Sequence, residues 1–117
     1  LNELDNVKNR LYVLTYKDGE WSREAMSGLP EFGTISASAV DSDESDAYFL
    51  TITDFLTPTT LYLGEIGKGA PEKIKSTPAF FDASNLQVSQ HEAKSADGTL
   101  IPYFQVGPKN LALDGKN

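Results

Sequence analysis

His91 is the only histidine in the 117 residues, so any acid–base or nucleophilic chemistry based on an imidazole must be built around it. Serine hydrolysis needs an activated hydroxyl, a base to take its proton and an acid to orient the base. Glu92 and Asp97 are the carboxylates near His91 along the chain. No Gly-x-Ser-x-Gly turn is present to lift a serine above a sheet, and a lone histidine on the polar face of a strand reads as a surface residue. Cysteine is absent, which removes thiol nucleophiles, thiolate metal ligands and disulfides together.

The run Asp41-Ser42-Asp43-Glu44-Ser45-Asp46 has the acidic texture of a calcium loop. Such a loop needs glycine at its sixth position and glutamate at its twelfth. Here those positions hold Asp46 and Ile52, so the charges read instead as the soluble tip of a turn. Paired carboxylates for acid–base work would need a cleft that raises one pKa. Every acidic cluster falls in an expected turn, where solvent should keep pKa values ordinary. Gly64-Glu65-Ile66-Gly67-Lys68-Gly69 is glycine-rich but has no strand–turn–helix setting for a phosphate. Tyr12, Tyr16, Trp21, Tyr48, Phe49, Tyr62, Tyr103 and Phe104 lie in strand-like runs and read as core packing. The residues thus point to no catalytic, cofactor-binding or metal-binding side chain, and to no cofactor.

The elements that would position such groups are strands. Residues 10–16 are rich in aromatic and β-branched side chains. The turn Lys17-Asp18-Gly19-Glu20 then leads into 21–26, and Asp-Gly between two such runs is a strong hairpin signal. Residues 28–33 break the pairing. Small residues fill 34–40, as suits a strand where backbones crowd. Residues 47–53 and 60–66 are strands, separated by a turn in which Pro58 supplies no ladder donor. Residues 72–76 have edge character. Residues 80–85 read as a connector with one helical turn at most. A second hairpin follows, with strands at 86–93 and 99–106 around Ser95-Ala96-Asp97-Gly98. Residues 108–117 read as a loose tail. Short strands at even spacing with Gly, Pro and Asp turns predict an all-β antiparallel fold of sandwich, barrel or propeller type.

Composition bounds the partners. Apolar residues are 39% of the chain, too many for a disordered one, and the net charge is −7. An acidic chain without a dense Lys/Arg cluster is not expected to bind nucleic acid or an anionic membrane. No apolar stretch has membrane-spanning length. Leu1 to Asp5 has neither a basic nor an apolar run, so no signal peptide is expected. The missing initial Met leads us to expect a piece of something longer. The absence of cysteine suits the cytoplasm and is compatible with the periplasm.

Three stretches in one consistent order resemble the prolyl oligopeptidase family of serine peptidases. Residues 46–62, Asp-Ala-Tyr-Phe-Leu-Thr-Ile-Thr-Asp-Phe-Leu-Thr-Pro-Thr-Thr-Leu-Tyr, resemble the last-blade segment of its β-propeller, with an aromatic-x-x-Pro turn between two strands. Phe81-Asp82-Ala83-Ser84 followed by Val88-Ser89-Gln90 is similar to the crossover out of the propeller. Ser95-Ala96-Asp97-Gly98-Thr99-Leu100-Ile101-Pro102 matches the hairpin that opens the hydrolase domain.

The resemblance implies about one and a half propeller blades in 1–79 and a linker with the first hydrolase hairpin in 80–117. In that family the propeller gates the entry of short peptides, and cleavage follows proline. The serine, aspartate and histidine of the triad would lie beyond residue 117. No catalytic residue carries over, His91 is not at the triad position, and the chain alone should be inactive. Its expected partners are the remaining blades and the hydrolase domain, with short peptides as substrates of the whole. Exposed strand edges should drive self-association. The alternatives are an independent β-sheet interaction module and a small sugar- or peptide-binding protein.

Overall fold

The computed structural model describes residues 1–112 and 114–116. Among them are nine strands and no helix: β1 Asn2–Asp5, β2 Lys8–Lys17, β3 Glu20–Ala25, β4 Thr34–Ala39, β5 Ala47–Thr53, β6 Thr60–Glu65, β7 Glu72–Ser76, β8 Leu86–Lys94 and β9 Leu100–Pro108. All pairings are antiparallel. They form a three-stranded sheet β1-β2-β3, a four-stranded sheet β4-β5-β6-β7 and the hairpin β8-β9. The fold class expected from the strand pattern is the one found.

Turn chemistry sets the registers. Asp18 and Gly19 both have positive φ (54° and 86°), the geometry of a type I′ hairpin turn, and Tyr16 thereby faces Trp21 across the ladder. The four-stranded sheet is a simple meander. Its hub is β5, in which Tyr48, Leu50 and Ile52 are buried at every second residue, the period that puts them on one face. The register steps from Leu61↔Lys75 to Tyr62↔Lys73, so Ile74 is the extra residue of a bulge that bends the edge strand β7.

Leu11 of β2 and Ile35 of β4 join Tyr48, Leu50 and Ile52 in the core, with Met26, Leu29 and Tyr62 packed around them. That core is the seam between the first two sheets. Two asparagines stitch the same seam: Asn2 Nδ2 donates to the Ile35 carbonyl (2.9 Å) and Asn9 Nδ2 to the Gly33 carbonyl (2.8 Å). The acceptors are two residues apart, on β4 and on the residue just before it, so these amides occupy edge positions that another strand would otherwise fill.

The core is small for the chain. Accessible surface is 8774 Å², whereas a folded monomer of this mass exposes about 6,300 Å². The radius of gyration is 18.1 Å, against about 13 Å for a compact domain of this length. The extents of 59 × 40 × 17 Å describe a thin, extended molecule.

Two readings from sequence are corrected. Several aromatics expected in the core are on the surface: Tyr16 is 61% exposed, Trp21 70% and Tyr103 47%. Alternation marks one face of a strand but does not say what covers that face. β1, whose four residues are all exposed, has no apolar signature and was not expected. It turns into β2 through Asn6 and Val7, both at positive φ, a conformation that β-branched valine disfavours. The connector stays within the one turn at most that was expected: it ends in a turn that the Leu86 amide closes onto the Ala83 carbonyl (3.0 Å).

Candidate functional site

Strand β8 presents Ser89 and His91 on one face, two residues apart. Ser89 Oγ and His91 Nε2 are 2.9 Å apart, and the imidazole lies beside the Tyr103 ring of β9 with centroids 5.4 Å apart. The partners that sequence offered His91 are elsewhere. Asp97 Oδ1 accepts the Thr99 amide (3.0 Å) in the β8–β9 turn, and Glu92 is the next residue along the strand, which alternation directs to the opposite face. A Ser–His contact without an acid on the ring and without oxyanion donors lacks two parts of a hydrolytic centre. This outward face of the hairpin is polar and exposed at His91.

The acidic turns use their carboxylates internally. Asp41 Oδ1 accepts the amides of Asp43 and Glu44 (2.9 and 3.0 Å). Asp54 Oδ1 accepts those of Leu56 and Thr57 (2.7 and 2.6 Å), which shapes the turn ahead of Pro58. Asp82 Oδ1 accepts the Ser84 amide (2.9 Å). These bonds correct the expectation of ordinary pKa values in turns. Asp41, Asp82 and Asp97 are all lowered, chiefly because backbone amides bind the ionised form. The direction is opposite to that needed for a general acid. Among the described residues no group of three or more His, Cys, Asp or Glu side chains is arranged to hold a metal ion.

Gly64, expected within the strand 60–66, belongs to β6 and faces Tyr48. The loop proper is closed by the Lys68 amide on the Glu65 carbonyl (3.1 Å) and by a Lys68–Glu65 ion pair (2.9 Å). It forms no phosphate cradle.

The most elaborate contact lies where the β8–β9 hairpin meets the sheets. Phe104 packs edge-on against Phe32 (centroids 5.6 Å, 75°) and tilted against Phe55 (5.3 Å, 48°). The Lys8 ammonium lies over the Phe32 ring (4.8 Å) and pairs with Glu31 (2.7 Å). Gln90 Nε2 donates to the Asn6 carbonyl (3.0 Å). Sequence reasoning assigned Phe104 to generic core packing and left Phe32 and Phe55 in turns; no local pattern links residues that far apart. A second feature is the cleft of about 470 Å³ between the sheets, lined by Leu11, Met26, Ala37, Tyr48, Leu50 and Ile66 among others.

No family model matches the chain. It is 44% identical over 117 residues to an uncharacterized peptidase of Sinorhizobium fredii, covering all of this chain and 16% of that protein. It is 33% identical over 113 residues to an uncharacterized peptidase of Rickettsia prowazekii, covering 97% of this chain and 15% of that protein. It is also 33% identical over 101 residues to a prolyl endopeptidase of Elizabethkingia miricola, covering 86% and 14%. Among solved structures, a post-proline cleaving enzyme from Rickettsia typhi matches with a TM-score of 0.76 at 28% identity, over 99% of this chain and 16% of that one. The chain spans about one-sixth of the length of these relatives, and matches that run along nearly all of it fit a fragment of a prolyl oligopeptidase.

Proposed function

We propose that this chain is a non-catalytic stretch of a post-proline-cleaving serine peptidase, taken from the propeller that gates peptide access and from the start of the hydrolase domain. In this reading residues 1–79 supply the last blades. Residues 80–117 supply the linker and the opening hairpin. The meander β4-β5-β6-β7 has the strand number and order of one propeller blade. The observation that carries the reading is the open, extended shape: surface well beyond that of a self-contained domain, on a chain matched end to end by much longer peptidases. The rest of the peptidase would cover that surface, and short peptides would be substrates of the whole. The expected setting is the cytoplasm, with neither nucleic acid nor membrane as partner.

In this role no residue of the chain touches the reacting atoms, and the Ser89–His91 contact is structural. The test is an assay of the purified chain with a chromogenic prolyl peptide, beside the longer protein that contains it. The longer protein should cleave after proline and the chain should not. Turnover by the chain that survives repurification would defeat the proposal.

The competing reading, an independent module that pairs through its strand edges, is favoured by one observation. β7 lies at a sheet edge with Ile74 51% exposed. Both readings expect the isolated chain to self-associate, and a strictly monomeric species by light scattering at high concentration would count against both.

A further inference from the structure

The hairpin β8–β9 shares no strand pairing with either sheet; it is held to them by one of its faces. Gln90 and Phe104 are cross-strand partners, so their side chains leave the hairpin side by side. Phe104 inserts between Phe32, in the loop before β4, and Phe55, in the loop between β5 and β6. Gln90 reaches the Asn6 carbonyl at the tip of the β1–β2 turn. Both contacts fall on loops, so breaking them disturbs no strand ladder.

Behind the hairpin the chain has a free joint. Thr77 is anchored to the meander by its amide on the Thr59 carbonyl (3.0 Å). Ser84 and Asn85 are anchored to the hairpin: Lys109 Nζ donates to the Ser84 carbonyl (2.7 Å) and the Lys109 amide to the Asn85 carbonyl (2.8 Å). Between those anchors Pro78, Ala79, Phe80 and Phe81 form no hydrogen bond among the described residues. Phe80 is 88% exposed.

We infer that Phe104 is a latch: its ring between Phe32 and Phe55 holds the hairpin down on both sheets, and the hairpin swings as one body about residues 78–81 when that ring is withdrawn. Gln90 fixes the azimuth of the closed state, and Phe104 supplies its hold. Under the function proposed above, the hairpin leads into the hydrolase domain, so the latch sets the separation of the two domains. That last step rests on the peptidase reading; the latch does not.

The chain's lack of cysteine makes a two-label distance measurement clean. Nitroxides would be placed at Glu44→Cys, in the β4–β5 turn, and Ala96→Cys, in the hairpin turn, the labelled chain diluted into an excess of unlabelled chain so that only distances within one copy are read, and the distance distribution recorded by pulsed electron resonance. With Phe104 intact a single narrow distribution is expected. Phe104→Ala should enlarge a longer, broader population roughly tenfold, the scale of losing aromatic pairs. Tyr103→Ala, on the other face of the same strand, should leave the distribution narrow. Phe55→Ala withdraws the same contact from the sheet side and should reproduce the effect if Phe104→Ala fails to fold. An unchanged distribution in both Phe104→Ala and Phe55→Ala, or an equal broadening in Tyr103→Ala, would overturn the latch. Failure of the longer protein to cleave after proline would sink the peptidase reading and leave this result standing.

Discussion

Gly64 lies directly across the β5–β6 pair from Tyr48, and the phenol ring fills the space where a side chain on residue 64 would begin. The glycine here serves close approach and not an unusual φ. It lets a large ring lie flat over the neighbouring strand and become 92% buried, leaving 8% exposed. Gly64→Ala should therefore displace Tyr48 from the core and cost about 1–3 kcal/mol, the range for overpacking, read as a fall in the urea midpoint. Because the two residues share one volume, the loss should be strongly non-additive with Tyr48→Ala.

Asn2 and Asn9 make a separate prediction. Each amide bond to the β4 edge contributes about 0.5–1.5 kcal/mol, so Asn9→Ala should destabilise the chain by that order. Replacing both asparagines frees the Ile35 and Gly33 carbonyls and should promote edge-to-edge association. Sedimentation should show heavier species for the double variant than for the unmutated chain at equal concentration.

The lowered pKa values of Asp41, Asp82 and Asp97 fix the sign of an acid effect. Above the unfolded aspartate pKa of about 3.9 their contribution to stability is fully present. As pH falls the unfolded chain takes up protons first, and the contribution disappears as pH passes through the folded values. Urea midpoints measured between about pH 5 and pH 2 should fall. Asp97→Asn, which keeps an acceptor for the Thr99 amide but cannot titrate, should flatten part of that fall.

Trp21 is the only tryptophan and is 70% exposed beside Tyr16, with ring centroids 5.1 Å apart. In the isolated chain its fluorescence should be red-shifted and readily quenched by acrylamide. In the longer protein, where we propose that a neighbouring blade covers this face, emission should shift to the blue and quenching should weaken.

Most of the strands were legible in the sequence because aromatic and β-branched runs are bounded by Gly, Pro and Asp turns. Asp18-Gly19 and the Ser95–Gly98 turn carry enough chemistry to fix their hairpins. β1 was illegible because Asn2-Glu3-Leu4-Asp5 has no apolar face to bury and Val7 is a poor turn residue. The misplaced Tyr16 and Trp21 share a different cause, since alternation marks one face of a strand without saying what covers it. The Phe32–Phe104–Phe55 contact is set by how loops from separate sheets converge, and no periodicity encodes that. The lowered aspartates were missed because turn amides, which sequence does not orient, outweigh solvent there. Residues 113 and 117, within the tail read as loose, lie outside the described residues.

The most direct test of the central claim is the coding sequence that follows codon 117. A gating segment of a post-proline peptidase predicts an open frame that soon encodes a Gly-x-Ser-x-Gly turn and, further on, an aspartate and a histidine to complete a triad. A natural stop codon immediately after Asn117 would contradict the account.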